Sequence, residues 1–251
     1  MAADKKRKLE MTITALQARW GWRAVRRLGD TPDTPVPHLA TGFAALDQAL
    51  GIGGLPRGRI SELIGAPTSG MATLALKIVA NSQTEAPAVY LDPDQIFDPD
   101  YAVRCGVDLS RLLLIRPYSY RQALAIVEDF LAGGRLQLLV MGATFQPPPA
   151  DLPDLMTATL SRLPAPLSRG GCALLFLTAL PAHSPPDLTH YPAHLPLPGY
   201  TAVRLLLQRE RWLYRRRDIT GYQAQVLVAK NKLGPAGQQV SLALTFDSEN
   251  P

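Results

Sequence analysis

Two stretches leave little choice of fold. Residues 136–141 and 173–178 are apolar at nearly every position. That is the pattern of a strand covered on both faces, which a parallel sheet with helices packed on each side provides. Strand-like segments at 59–64, 89–92 and 112–115 and helical segments at 41–50, 71–81, 120–131 and 155–163 alternate with these runs, as in successive β-α-β units. With 47% hydrophobic and 19% charged residues, the 251-residue chain can fill the core such a sheet needs and is not a disordered protein. After residue 200 the character changes: segments 202–207, 225–229 and 240–246 follow one another without helices. Val240, Leu242, Leu244 and Phe246 alternate with smaller or polar residues, as in a half-buried antiparallel strand.

The remaining composition narrows the function. Two cysteines, Cys105 and Cys172, and four scattered histidines cannot make a disulfide framework and lack metal-ligand spacing, so no metal site is expected. No apolar run reaches membrane-span length, and the charged start, residues 1–10, lacks the apolar stretch of a secretory signal. A reducing, cytoplasmic protein without a membrane partner is the expectation. The whole net charge of +5 lies in residues 1–30. Residues 11–28 read as a helix followed by a short strand, and a Pro/Asp/Thr linker follows Gly29. The chain therefore divides into a basic arm, 1–36, and a core domain, 37–251. A basic arm suits a polyanion or an acidic partner, although Lys5 to Lys8 also fit a solvated tail. Arg209, Arg211, Arg215, Arg216 and Arg217 flank Trp212 and Tyr214. Interleaved cations and rings can hold a nucleic-acid backbone and stack on bases, and the pattern equally fits a solvated hairpin turn. Residues 182–198 form a long aperiodic loop, the kind that is usually functional or disordered.

Between strand 59–64 and helix 71–81 stands Gly65-Ala66-Pro67-Thr68-Ser69-Gly70, with the Gly-x-x-x-x-Gly spacing of a phosphate loop. Glycines at that spacing let backbone N–H groups cradle phosphates. The next two positions supply the lysine that reaches the β and γ phosphates and the hydroxyl that holds magnesium. Here they are Met71 and Ala72, followed by Thr73. Taken alone, the spacing also fits a plain Gly-bounded turn.

The surrounding residues resemble the RecA recombinase family. Thr41-Gly42-Phe43-Ala44-Ala45-Leu46-Asp47 and Gly53-Gly54-Leu55-Pro56-Arg57-Gly58-Arg59-Ile60 are similar to its approach to the phosphate loop. Leu91-Asp92-Pro93-Asp94, Phe97-Asp98-Pro99-Asp100-Tyr101-Ala102 and Cys105-Gly106-Val107-Asp108 resemble its catalytic-acid and adenine segment. Val228-Ala229-Lys230-Asn231-Lys232 resembles a later strand end, and the likeness runs from Leu16 to Phe246. It implies an α/β, RecA-like P-loop NTPase core. In this fold a central, mostly parallel sheet is flanked by helices, with antiparallel strands at the C-terminal edge. The family's C-terminal domain has no counterpart, which suits a shortened, ImuA-like chain.

By the same resemblance, the phosphate-binding lysine falls at Met71 and the magnesium ligand at Ala72. The catalytic glutamate falls at Asp94, a second acid at Gly142 and the γ-phosphate sensor at Ala179. Asp98 and Tyr101 match adenine contacts. Lys230 and Lys232 match lysines that reach a neighbouring subunit's nucleotide, and Trp20 and Trp22 lie in the arm segment that packs on the adjacent protomer. The DNA loops would fall near 144–154 and 181–200, where the sequence is proline-rich and does not match. An interface Lys-Phe pair is replaced by Pro198 and Gly199.

Phosphoryl transfer depends on positioning and charge stabilisation. Loss of the lysine and both metal supports therefore implies a non-hydrolysing accessory protein of DNA recombination, repair or the SOS response to DNA damage, which holds ATP, if at all, without hydrolysis. Its expected partners are a RecA recombinase or its filament, single-stranded DNA, or a translesion polymerase complex. Two other readings stay open: a DNA-dependent ATPase with an unorthodox site, and a protein-binding, SulA-like inhibitor of cell division.

Overall fold

The computed structural model describes residues 2–21, 25, 35–133, 136–142, 149–182, 187–216 and 218–246. They fall into two compact units, Met1–Pro35 and Val36–Pro251.

In the first unit, helix α1 spans Ala2–Trp20, starting nine residues earlier than the 11–28 expected. The extension follows from its composition, because Ala, Lys, Arg, Leu and Glu are strong helix formers. Lys8 also stands 3.9 Å from Asp4 one turn earlier. The run Lys5 to Lys8 therefore lies on a helix, with its side chains exposed. Leu9, Leu16 and Trp20 lie on one face of α1 and are exposed. The strand expected after this helix, and Trp22 with it, lie outside the described residues.

The second unit begins with β1 (His38–Leu39), which pairs antiparallel with β2 (Leu55–Pro56) around α2 (Ala44–Leu50). The helix starts at Ala44 and not at 41, because Thr41 turns its N–H (2.9 Å) and its hydroxyl (2.7 Å) to the Asp47 carboxylate. The main sheet is built from β3 (Ile60–Gly65), β4 (Ala88–Leu91), β5 (Leu112–Ile115), β6 (Leu138–Gly142), β7 (Ala173–Ala179), β8 (Val203–Arg215), β9 (Asp218–Asn231) and β10 (Gln239–Thr245). Its order is β10-β9-β8-β3-β7-β6-β4-β5. Strands β8, β3, β7, β6, β4 and β5 run parallel, and β9 and β10 add an antiparallel edge.

Helices α3 (Met71–Ser82), α4 (Pro99–Arg104), α5 (Tyr120–Gly133), α6 (Leu152–Arg162), α7 (Pro164–Gly170) and the single turn α8 (Leu197–Tyr200) complete the second unit. Alternate residues of each central strand serve opposite cores. Leu138, Val140, Leu175 and Leu177 join Leu74 and Ile78 of α3 on one face. Leu139, Met141, Leu174 and Phe176 join Leu124, Met156 and Leu167 of α5, α6 and α7 on the other. Each such side chain, fully buried, contributes about 1.5–3 kcal/mol. Two strands are much longer than expected: β8 was expected at 202–207 and β9 at 225–229. Beyond Leu207, β8 pairs only with β9. A ribbon wet on one face carries charges such as Arg211 and Arg215, so no apolar run marks it.

A buried charge anchors part of the 181–200 segment. Glu62 on β3 is fully buried. It accepts hydrogen bonds from Thr178 Oγ1, Tyr191 OH and Arg204 Nε, each at 2.7 Å. The Arg204 guanidinium lies 4.4 Å from the Tyr191 ring centre. The stretch 187–200 is thus pinned to the sheet by Tyr191, while 183–186, like 144–148 of the first expected DNA loop, lies outside the described residues.

Candidate functional site at the carboxyl end of the sheet

Strand β3 is flanked by β7 and β8, and its carboxyl end opens into the turn Ala66 to Gly70 before α3. Thr68 adopts φ +67, the left-handed region that a non-glycine residue seldom enters. Gly70 has φ +100, and a Cβ there would stand 2.7 Å from the Tyr222 ring. Both the backbone angle and the contact therefore require glycine. Ser69 closes the turn through its N–H to the Ala66 carbonyl at 3.0 Å. The first N–H groups of α3 have no acceptor within the helix and face outward from its start.

The turn forms one side of a cavity of about 420 Å³. Of the residues singled out in the sequence, Ala66 to Thr73, Tyr101, Ala179, Arg209 and Trp212 border it, joined by Ile96, Tyr222 and Phe246. Gly65 ends β3 just beneath. The aromatic wall is continuous: ring centres are 5.8 Å apart for Trp212 and Tyr222, 5.6 Å for Tyr222 and Phe246, and 6.0 Å for Tyr101 and Phe246. Thr73 ties this wall to α3, its hydroxyl bonding Tyr101 OH at 2.6 Å and also Tyr222 OH. Burial is the main reason that the Tyr101 and Tyr222 phenols lose their protons only above the usual tyrosine range.

Trp212 enters the wall through an irregularity. The β8–β9 register shifts between Arg209 and Arg211, so Glu210 is an extra residue. A regular strand would send Arg209 and Trp212 to opposite faces, and the bulge restores them to the same one. The Arg209 guanidinium lies 4.4 Å from the Trp212 ring centre.

The acidic positions lie apart from this wall. Asp92, buried at the end of β4, accepts the Ile96 and Phe97 N–H groups at 3.0 and 3.1 Å and pairs with Arg116 at 3.3 Å. It thereby fixes the loop that carries Asp94 and Ile96. Asp94 accepts the Tyr120 hydroxyl. A Cβ on Gly142, at the end of β6, would stand 3.8 Å from Asp94 Oδ2, so the two positions are neighbours. Asp98 caps α4, accepting the N–H groups of Asp100 and Tyr101 at 3.0 and 3.1 Å. No group of His, Cys, Asp or Glu among the described residues is arranged to hold a metal ion.

The remaining expected residues are dispersed. Lys230 donates to the Pro198 carbonyl at 2.6 Å. Burial, then the neighbouring Lys232 and Arg204 charges, lowers its pKa. Arg211 reaches across the strand pair to Gln223 at 2.7 Å, Arg215 and Arg216 are exposed near the ribbon tip, and Arg217 lies outside the described residues. Trp20 is exposed on α1 beneath the Arg19 guanidinium. Sequence reasoning missed Ile96, Tyr222 and Phe246 as cavity walls. For Phe246 the alternation from Val240 was the available signal, and for Tyr222 it was the alternation with Ala224, Val226 and Val228. Trp212 was singled out among the arginines, but the bulge that turns it to the cavity had no sequence signal.

Comparison with known proteins gives a consistent picture. The family model described as the RecA N-terminal domain matches residues 7–249. The chain is 32% identical to protein RecA of Rubrobacter xylanophilus, over 98% of this chain and 76% of that protein. It is 33% identical to protein RecA of Mycobacterium sp. (strain KMS), with the same coverage. Among solved structures, the crystal structure of the RadB recombinase superposes with a TM-score of 0.65, at 20% identity, covering 84% of this chain and all of that one.

Proposed function

The chain belongs to the RecA family, and from that premise we propose that it is a non-hydrolysing member, serving DNA recombination and repair by joining a partner recombinase filament on single-stranded DNA. The observation that carries this reading is the contrast at the phosphate loop. The turn keeps its backbone shape, with Thr68 and Gly70 left-handed, whereas its charge-handling positions are Met71, Ala72, Gly142 and Ala179. A preorganised donor aimed at developing charge is worth about 10²–10³ in rate when removed singly. Such groups act as a unit, so a site missing several falls to background. The exposed apolar face of α1, with Leu9, Leu16 and Trp20, supports a role in which the arm docks on another protein. The exposed Arg211, Arg215 and Arg216 support additional contact with a polyanion. The translesion polymerase complex is the alternative partner, and it would use the same apolar arm.

The test has two readouts on the full chain. Magnesium–ATP turnover, with and without single-stranded DNA, is expected to stay at background. Turnover that disappears in Asp94→Ala would overturn the non-hydrolysing reading. Co-sedimentation with a recombinase filament formed on single-stranded DNA is expected only when the filament is present. Absence of that association would overturn the filament reading.

A further inference from the structure

We infer that Arg209 is the anion-binding cation of the phosphate-loop cavity, and that the ligand is a nucleotide with one or two phosphates held without a divalent metal. This rests on the non-hydrolysing reading above and deepens it by naming the ligand class. Among the described residues bordering the cavity, Arg209 is the single charged side chain. No carboxylate among the described residues pairs with it, and it lies over the Trp212 ring, 4.4 Å away. A guanidinium held over an indole does not spend its N–H groups on a hydrogen-bond acceptor there. Its N–H edge matches two oxygens of a phosphate in a planar fork. The β8 bulge places Arg209 and Trp212 on the cavity side together, so both are held by backbone register and not by a flexible loop.

Charge and chemistry then select the ligand. One arginine together with loop amides balances a small phosphate charge, whereas a triphosphate would bring several uncompensated negative charges into a largely apolar chamber. Magnesium ordinarily relieves that excess by bridging the β and γ oxygens. Here Ala72 and Gly142 offer no side-chain oxygen to a cation. The aromatic wall that continues from Trp212 through Tyr222 and Phe246 to Tyr101 suits a planar heterocycle. The cation thus comes from β8 and not from the start of α3, where Met71 stands, and no metal is needed to complete the site.

The experiment follows tryptophan fluorescence, since Trp212 borders the cavity and is one of three tryptophans. The full chain is titrated with AMP, ADP and ATP, first in EDTA and then in magnesium chloride. AMP or ADP should quench the signal, with a Kd that changes less than about twofold on adding magnesium. Arg209→Gln should weaken binding by about tenfold or more, and Arg209→Lys should recover part of it. Arg169→Gln, an exposed change on α7, should leave it unaltered. A requirement for magnesium, tightest binding by ATP, wild-type binding in Arg209→Gln, or no saturation at millimolar nucleotide would each overturn the inference. The same samples are assayed for filament co-sedimentation and ATP turnover. Filament association without nucleotide binding defeats only this inference. ATP turnover defeats the reading beneath it.

Discussion

Replacing Glu62 by Gln would leave the Arg204 guanidinium buried with no counter-charge, while keeping nearly the same volume. One nitrogen of Arg204, Nη2, is already without a partner, so little is available to compensate. Breaking a buried pair from one side typically costs about 3–5 kcal/mol. Urea unfolding of Glu62→Gln should show a loss of that order, with 187–200 becoming protease-sensitive because one amide oxygen cannot accept from both Tyr191 and Arg204. Gly70→Ala is a different case, because it strains the backbone and pushes a methyl group into Tyr222. A destabilisation of about 2 kcal/mol is expected. The change should also displace Tyr222 and so abolish any nucleotide-dependent tryptophan quenching, which a thermal melt and a fluorescence titration on one sample would establish.

Helix α1 illustrates an element whose exposed side chains do little for its own unit. Because Leu16 and Trp20 are exposed, Leu16→Ala and Trp20→Ala should each change stability by less than about 0.5 kcal/mol. Co-sedimentation with the filament should fall at least tenfold if this face docks on a partner. The β8–β9 ribbon carries the second element-scale prediction. Neutralising Arg215 and Arg216 together should flatten the dependence of log K on log salt for single-stranded DNA by about 0.7 per phosphate contact removed. An unchanged slope would place DNA contacts elsewhere. The elements also differ in how visible they were beforehand. Strands β6 and β7, buried on both sides, must be apolar throughout and so declare themselves. The outer half of β8 is wet on one face, so Arg211 and Arg215 disguise a strand as a polar turn. The phosphate-loop turn was visible because its glycines are spaced for backbone reasons. The chamber it borders was not, since its walls come from α3, α4, β8, β9 and the end of β10 and meet only through long-range pairing. Asp98 was legible as a match to an adenine-contacting carboxylate in the resemblance, yet its oxygen is engaged at the start of α4, a local use that spacing could not separate from ligand contact.

For the molecule as a whole, the parallel sheet brings phenols from distant segments into dry surroundings. Burial, reinforced by Glu62, raises the Tyr191 pKa above the usual range. Burial is also the main cause for Tyr222 and Tyr90, the latter helped by Asp92. Each raised pKa means the folded state keeps a proton that the unfolded chain releases near pH 10. Their contribution is therefore present below pH 10 and disappears as pH climbs above it. Unfolding midpoints in urea should begin to fall near pH 9, because burial also raises the Cys105 and Cys172 thiols, and should fall steeply beyond pH 10. The tyrosinate absorbance of these phenols should appear together with loss of structure and not before it. Exposure of tyrosinate without unfolding would contradict their burial.

The ribbon of β8 and β9 is clamped at its base between β3 and β10, and toward its outer end Tyr214 pairs with Ile219 and Arg215 with Asp218, beyond the reach of β10. In mechanical terms it is a cantilever. A load applied to the tip, where Tyr214 and Arg215 stand, is felt as a bending moment at the root, and the root is where Trp212 and Tyr222 form the chamber wall. Grip on the tip and occupancy of the chamber therefore share one spring: whatever holds the tip stiffens or tilts the wall, and whatever fills the chamber resists the bend.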